Sequence, residues 1–160
     1  MTTTLCGFSD GPGGQGRELL VQFGPTLIVD IGFDPDFDPH SGPNVSPDLP
    51  LKGVHALVDT GATSSCIDNG WAMRLNLPII DRQRVAGVAG AHEVNMHMGQ
   101  IHIPSLGKTI YGSFAGVELA AGGQQHLALI GRTFLMHFLM IYNGFTGTVS
   151  LDDEAPRGAA

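Results

Sequence analysis

Leu57-Val58-Asp59-Thr60-Gly61-Ala62 decides the reading of this chain. Two apolar residues run into Asp-Thr-Gly-Ala, and Thr63-Ser64-Ser65-Cys66-Ile67 follow. The pattern predicts a buried strand that ends in a tight loop and presents one carboxylate, with a second strand leaving the loop. It occurs once.

Length and composition narrow what can surround that loop. The chain has 160 residues, enough for one domain and too few for two. Hydrophobic residues make up 42% and charged residues 14%, so a packed core is within reach and disorder is not expected. The 23 Gly and 10 Pro favour short strands and turns over a helical bundle. A net charge of −7 excludes nucleic acid as a partner, because phosphate neutralisation needs a basic face. The cationic residues cluster only at Arg82 and Arg84.

Cys6 and Cys66 do not make a disulfide framework. Cys66 reads as a small apolar filler, since no basic neighbour activates it. Met1 to Leu5 lacks a basic start and a long apolar run, so no signal peptide is visible. The apolar stretch Leu127 to Tyr142 contains Arg132 and His137 and is too short to span a bilayer. These features lead us to expect a cytoplasmic protein with no membrane partner.

Residues 1–18 read as a flexible lead-in, 19–151 as the domain and 152–160 as a flexible tail. Strands are expected at Leu19 to Phe23, Thr26 to Phe33, Val54 to Val58, Ser64 to Ile67, Phe114 to Leu119, Ala128 to Ile130, Phe138 to Tyr142 and Thr146 to Leu151. Asp34 to Pro50 holds five of the prolines and reads as a long exposed loop, either a surface insertion or a substrate-facing edge. Asp68 to Leu77 is the expected helix, capped by Asp68 or Asn69 and stopped by Pro78. A hairpin with a small-residue tip at Val88-Ala89-Gly90-Ala91 is expected within 85–103, and Phe134 to His137 fits one helical turn. Ala56-Leu57-Val58 is echoed by Ala128-Leu129-Ile130, each entering a Gly-containing loop.

Taken together, these segments resemble the retropepsin-like aspartic peptidases, the single-lobe relatives of pepsin. The match rests on Ala56 to Ala62 with Ser64 to Ile67, on the segment ending at Leu77-Pro78, and on the hairpin Val85 to Val94, placed where the family carries its flap. Leu129-Ile130-Gly131-Arg132-Thr133-Phe134-Leu135, followed by Ile141-Tyr142-Asn143-Gly144, completes it. The resemblance implies a mostly β fold: one closed, barrel-like lobe with one short helix and a flap hairpin. It also implies an aspartic endopeptidase that acts on polypeptides as a homodimer, without metal or cofactor. The strands near the termini, Leu19 to Phe23 and Thr146 to Leu151, are the dimer-sheet candidates carried over from the family.

In that chemistry two carboxylates about 3 Å apart share one proton, because like charges so close cannot both ionise. One activates the water and the other polarises the scissile carbonyl. Asp59 is the expected catalytic residue, one from each subunit. Thr60, Gly61 and Ala62 support the loop, and Val88, Ala89, Gly90 and Ala91 form the flap over the substrate. Apolar pockets are expected near Ile79, Ile80, Val85 and Val88. Gly131 and Arg132 are structural. Retroviral members carry an acid four positions after the catalytic Asp, paired with this Arg; here that position is Thr63, so Arg132 takes another partner. The competing reading is an inactive binding or dimerisation module of the same fold.

Two further motifs are decoys. His92-Glu93-Val94-Asn95-Met96-His97 spaces its histidines by five, whereas a helical zinc motif needs four. Asp34, Asp36 and Asp38 begin like a calcium loop, but Pro39 and Val45 stand where Gly and Glu are needed.

Overall fold

A computed structural model describes residues 2–42 and 45–154. The chain is mostly β, a single retropepsin-like lobe built from two sheets. The strands are β1 (Thr3–Leu5), β2 (Thr26–Gly32), β3 (Leu51–Val58), β4 (Cys66–Asp68), β5 (Ile79–Gly87), β6 (Gly90–Ile103), β7 (Lys108–Val117), β8 (Ala128–Ile130), β9 (Leu139–Asn143) and β10 (Thr148–Asp152). The short helices are α1 (Gly16–Phe23), α2 (Asn69–Arg74) and α3 (Arg132–Leu135). The larger sheet runs β2-β3-β8-β4-β7-β6-β5, and β2 also pairs with β6, which curls it toward closure. The smaller sheet runs β1-β10-β9.

The sequence echo has a structural meaning. Ala56, Leu57 and Val58 pair in parallel with Ala128, Leu129 and Ile130, residue for residue. β4 then pairs with the other edge of β8. A strand from late in the chain therefore threads between the two that flank the Asp59 loop. Val58, Ile67 and Ile130 lie on the inner side of these strands and are buried with Val29, Ile31 and Ile101. Deleting such a side chain to Ala costs about 2–5 kcal/mol.

α2 is shorter than expected. Asp68 caps it by accepting from Trp71 N at 3.0 Å, and Asn76 at φ 52° turns the chain out of the helix before Pro78. The Asp68 carboxylate, 2% exposed, also accepts from Leu119 N and Ala120 N. That ties the end of β7 to the helix start.

The N-terminal expectations need correction. Residues 1–18 are not simply a lead-in: β1 pairs with β10, with Thr3 opposite Asp152. Leu19 to Phe23 is helical, because Gly16, Leu20 and Phe23 recur at helical spacing on one covered face. Asp10 Oδ1 accepts from Gly16 N at 2.8 Å at the helix start. A Cβ at Gly16 would meet Phe8 O at 2.6 Å, so only Gly lets the helix seat there. The tail expectation fails at Asp152, which closes β10, while 155–160 lie outside the described residues.

Both dimer-sheet candidates change as well. Leu19 to Phe23 is not a strand, and β10 already has β1 and β9 on its two edges. The loop 34–50 joins β2 to the start of β3. Leu51 stands eight residues before Asp59 along β3, about 26 Å away at strand rise, so the chain enters β3 at the end far from Asp59. Its acidic residues shape turns: Asp34 accepts from Asp36 N and Asp48 N, and Asp38 accepts from His40 N.

Candidate active site

Asp59 follows the last residue of β3, and its N–H continues the ladder by donating to Ile130 O at 2.9 Å. Its Oδ1 accepts from Gly61 N at 2.9 Å, which holds the half-buried carboxylate over its own loop. Ala62 N donates to Asp59 O at 3.2 Å and closes the turn. A Cβ at Gly61 would lie 3.1 Å from Asp59 Oδ1, tight enough to crowd the oxygen. Thr60 is exposed on the loop crest.

The loop is braced by the segment after β8. Arg132 N donates to Ala62 O and Thr133 N to Thr63 O, both at 2.9 Å. The Arg132 guanidinium donates to Thr60 O at 2.7 Å and to Thr63 Oγ1 at 3.2 Å. These are the partners that Arg132 takes in place of an acid. Ser65, buried, accepts from Gly131 N at 3.1 Å. A Cβ at Gly131 would lie 2.6 Å from Ser64 C, so this position admits only Gly. Sequence reasoning found Gly131 and Arg132 and missed Thr63 and Ser65. A hydroxyl one or three residues before a strand is a common feature, and only the crossing of β8 gives it work.

Asp59 shares a sheet face with Leu57, two residues earlier. The strand registers extend that face as a row: Leu57, Leu129, Cys66, Ala115 and Met96. Most of this row is only partly buried, in contrast to the alternate positions, which fill the core. Cys66 therefore sits on the carboxylate's side of the sheet. Burial, and secondarily the Asp59 charge, push its thiol above the ordinary value of 9.0. A thiol held protonated fits the filler reading.

β5 and β6 pair from Ile79 opposite His97 to Gly87 opposite Gly90, with Val88 and Ala89 at the tip. β7 joins β6 only from Met96 onward. The hairpin beyond that point is a free-standing arm with solvent on both faces, and Val88 is fully exposed. Gly90, at φ 102°, turns the chain at the tip, and Ala91 lies opposite Ala86. His92 is exposed on this arm, while His97 is buried against Asn69 Oδ1 and Leu77 O. No group of three or more metal-ligating side chains occurs among the described residues.

A family model described as Aspartyl protease matches residues 51–134, from the start of β3 to α3. The chain belongs to the retropepsin-like aspartyl protease family. The matched span covers the Asp59 loop, the hairpin arm and the Gly131-Arg132 brace. It leaves out β1, α1, β2 and the hairpin β9–β10; of these, sequence reasoning missed β1 and misread α1. No curated protein matches the chain. Among the described residues, no helix is long and apolar enough to cross a membrane.

Proposed function

We propose that this aspartyl protease is an endopeptidase whose active site forms between two copies of the chain, each contributing Asp59. The observation that carries this reading is the single Asp-Thr-Gly loop, held with its carboxylate on Gly61 N–H and braced from beneath by Arg132. One carboxylate cannot both accept a proton from water and donate one to the scissile carbonyl. A facing pair does both, and its two apparent pKa values belong to the pair. Thr60, on the loop crest, meets its counterpart across the two-fold axis. The arm tipped by Val88, Ala89, Gly90 and Ala91 closes over an extended peptide and excludes water. The peptide runs beside the row that includes Leu129, Cys66 and Met96, which favours apolar side chains next to the cleaved bond.

Asp59→Asn tests this directly. The variant keeps the loop bond to Gly61 N through its amide oxygen and loses the shared proton. Cleavage of a peptide library should vanish while solution mass stays unchanged. Persisting cleavage by the variant would refute the assignment.

A further inference from the structure

His97 is a fully buried polar side chain on β6. Its Nε2 stands 3.0 Å from Asn69 Oδ1, at the start of α2, and its Nδ1 stands 3.4 Å from Leu77 O. Burying an imidazole is costly unless its nitrogens find partners, and here both do. Gly116 on β7 makes room for the pair. A Cβ there would lie 2.9 Å from His97 Nε2 and would collide with Asn69 Oδ1, so only Gly lets the two side chains meet.

The place of this pair in the sheet gives it a role. His97 is opposite Ile79 on β5 and Phe114 on β7. Beyond Met96, β6 has only β5 beside it, so His97 stands at the root of the arm. Both strands of the arm are tied there, because Met98 N donates to Pro78 O at 2.8 Å and Leu77 O faces the imidazole. The tie runs on to the Asp59 loop. Asn69 directly follows β4, the strand that leaves that loop, and β4 is held by β8 on one edge and β7 on the other. Gly90 at the tip is seven residues from His97, about 23 Å at strand rise, so a tilt of about 10° at the root moves the tip by about 4 Å.

We propose, resting on the reading that the arm closes over a peptide at Asp59, that His97 is a positioning residue for cleavage. Through Asn69 it sets the angle at which the arm leaves the sheet, and so the height of the tip above the Asp59 loop. An apolar side chain would fill the same space, but dispersion contacts fix no direction. Hydrogen bonds do, and a satisfied buried set holds one arrangement. His97 touches no reacting atom. Its effect passes through the grip of the arm on the peptide, and grip that is equal in the ground state and the transition state appears in KM and leaves kcat alone.

His97→Leu fills the site without either bond. KM for a peptide substrate should rise about 10-fold, with kcat within about threefold of the parent. A merely structural role would lower the folded fraction, and with it the apparent kcat, at unchanged KM. His97→Gln, whose amide takes the place of Nε2 toward Asn69, should bring KM back to within about threefold of the parent. Where His97→Leu does not fold, Asn69→Ala removes the shorter contact at a half-buried helix start and has the same expected KM. Hydrogen exchange reads the root without any cleavage. The Met98 amide should exchange about 10-fold faster in His97→Leu or Asn69→Ala, with the amides between β2 and β3 unchanged. A parental KM, a Gln variant as impaired as the Leu variant, or Met98 exchange at the parental rate overturns the proposal. Faster Met98 exchange in a chain whose parent cleaves no peptide would keep His97 as the lock of the arm and sink the peptidase reading instead.

Discussion

The Arg132 guanidinium donates to the backbone oxygen of Thr60, 2.7 Å away and one residue beyond Asp59. Its second contact is a neutral hydroxyl, Thr63 Oγ1 at 3.2 Å. The arginine thus holds the loop through backbone and hydroxyl acceptors, and its charge is not neutralised by a carboxylate among the described residues.

Arg132→Leu should remove this brace and destabilise the fold by about 1–3 kcal/mol, the range for charge-assisted hydrogen bonds. Thr63→Asp should act in the opposite direction. It supplies an exposed ion pair worth about 0.2–1 kcal/mol, and added salt should erase the gain. Urea unfolding at low and high ionic strength reads both effects. A Thr63→Asp variant that is less stable than the parent would contradict the brace.

Gly131→Ala should be among the most damaging single-methyl changes in the molecule. The added carbon would sit 2.6 Å from Ser64 C and 2.7 Å from Ser64 O, both backbone atoms that cannot swing away. Relief requires parting the Ser64 backbone from the start of α3, at about 1–3 kcal/mol by analogy with overpacked cores. The urea midpoint measures the loss. A midpoint within error of the parent would show that the crossing is looser than described.

Acid should destabilise the fold through His126. Thr26 gives its hydroxyl proton to Gly24 O and stands 2.8 Å from His126 Nε2, while Gln124 Oε1 lies 3.5 Å from Nδ1. Burial first, and the neighbouring His55 second, hold its pKa below the ordinary 6.5. His102 is lowered for the same first reason, burial. The unfolded chain therefore takes up these protons before the folded one does. Stability is fully present above the unfolded value of 6.5 and is lost as pH falls toward the depressed folded values. Urea midpoints stepped downward from neutral pH should fall, and His126→Gln should flatten part of that slope. An unchanged slope in the variant would remove His126 from the account.

Both thiols should resist alkylation until the chain unfolds. Burial raises Cys6 to about 11, and burial with the Asp59 charge raises Cys66. For Cys6 the thiolate fraction at neutral pH is about 100-fold below that of a free cysteine. Mass spectrometry after timed iodoacetamide treatment, with and without urea, reports each site. Rapid native labelling of Cys66 would mean that its side of the sheet is more open than the row Leu129-Cys66-Ala115 indicates.

Much of the architecture around Asp59 was legible because the signals are local. An apolar run into Asp-Thr-Gly, a small-residue hairpin tip and a capped helix before a proline each act over a few residues, where sterics and turn chemistry dominate. Even the echo of Ala56-Leu57-Val58 in Ala128-Leu129-Ile130 was visible, although its meaning as two strands lying side by side was not. Leu19 to Phe23 was misread because five residues, four of them apolar, are too few to carry a period of their own. Its helical face appears only when Gly16 is counted with it, packed against Phe8 and Thr146.

The kind of chemistry this chain can attempt was written in one short run, Leu57 to Ala62, since a carboxylate on a glycine turn is a local property. Its setting was not. The Arg132–Thr60 contact spans 72 residues, β1 meets β10 across nearly the whole chain, and a strand from late in the chain, β8, threads between β3 and β4. Such pairings depend on which distant segments the closing core brings together, and a linear pattern of residue types does not encode that choice.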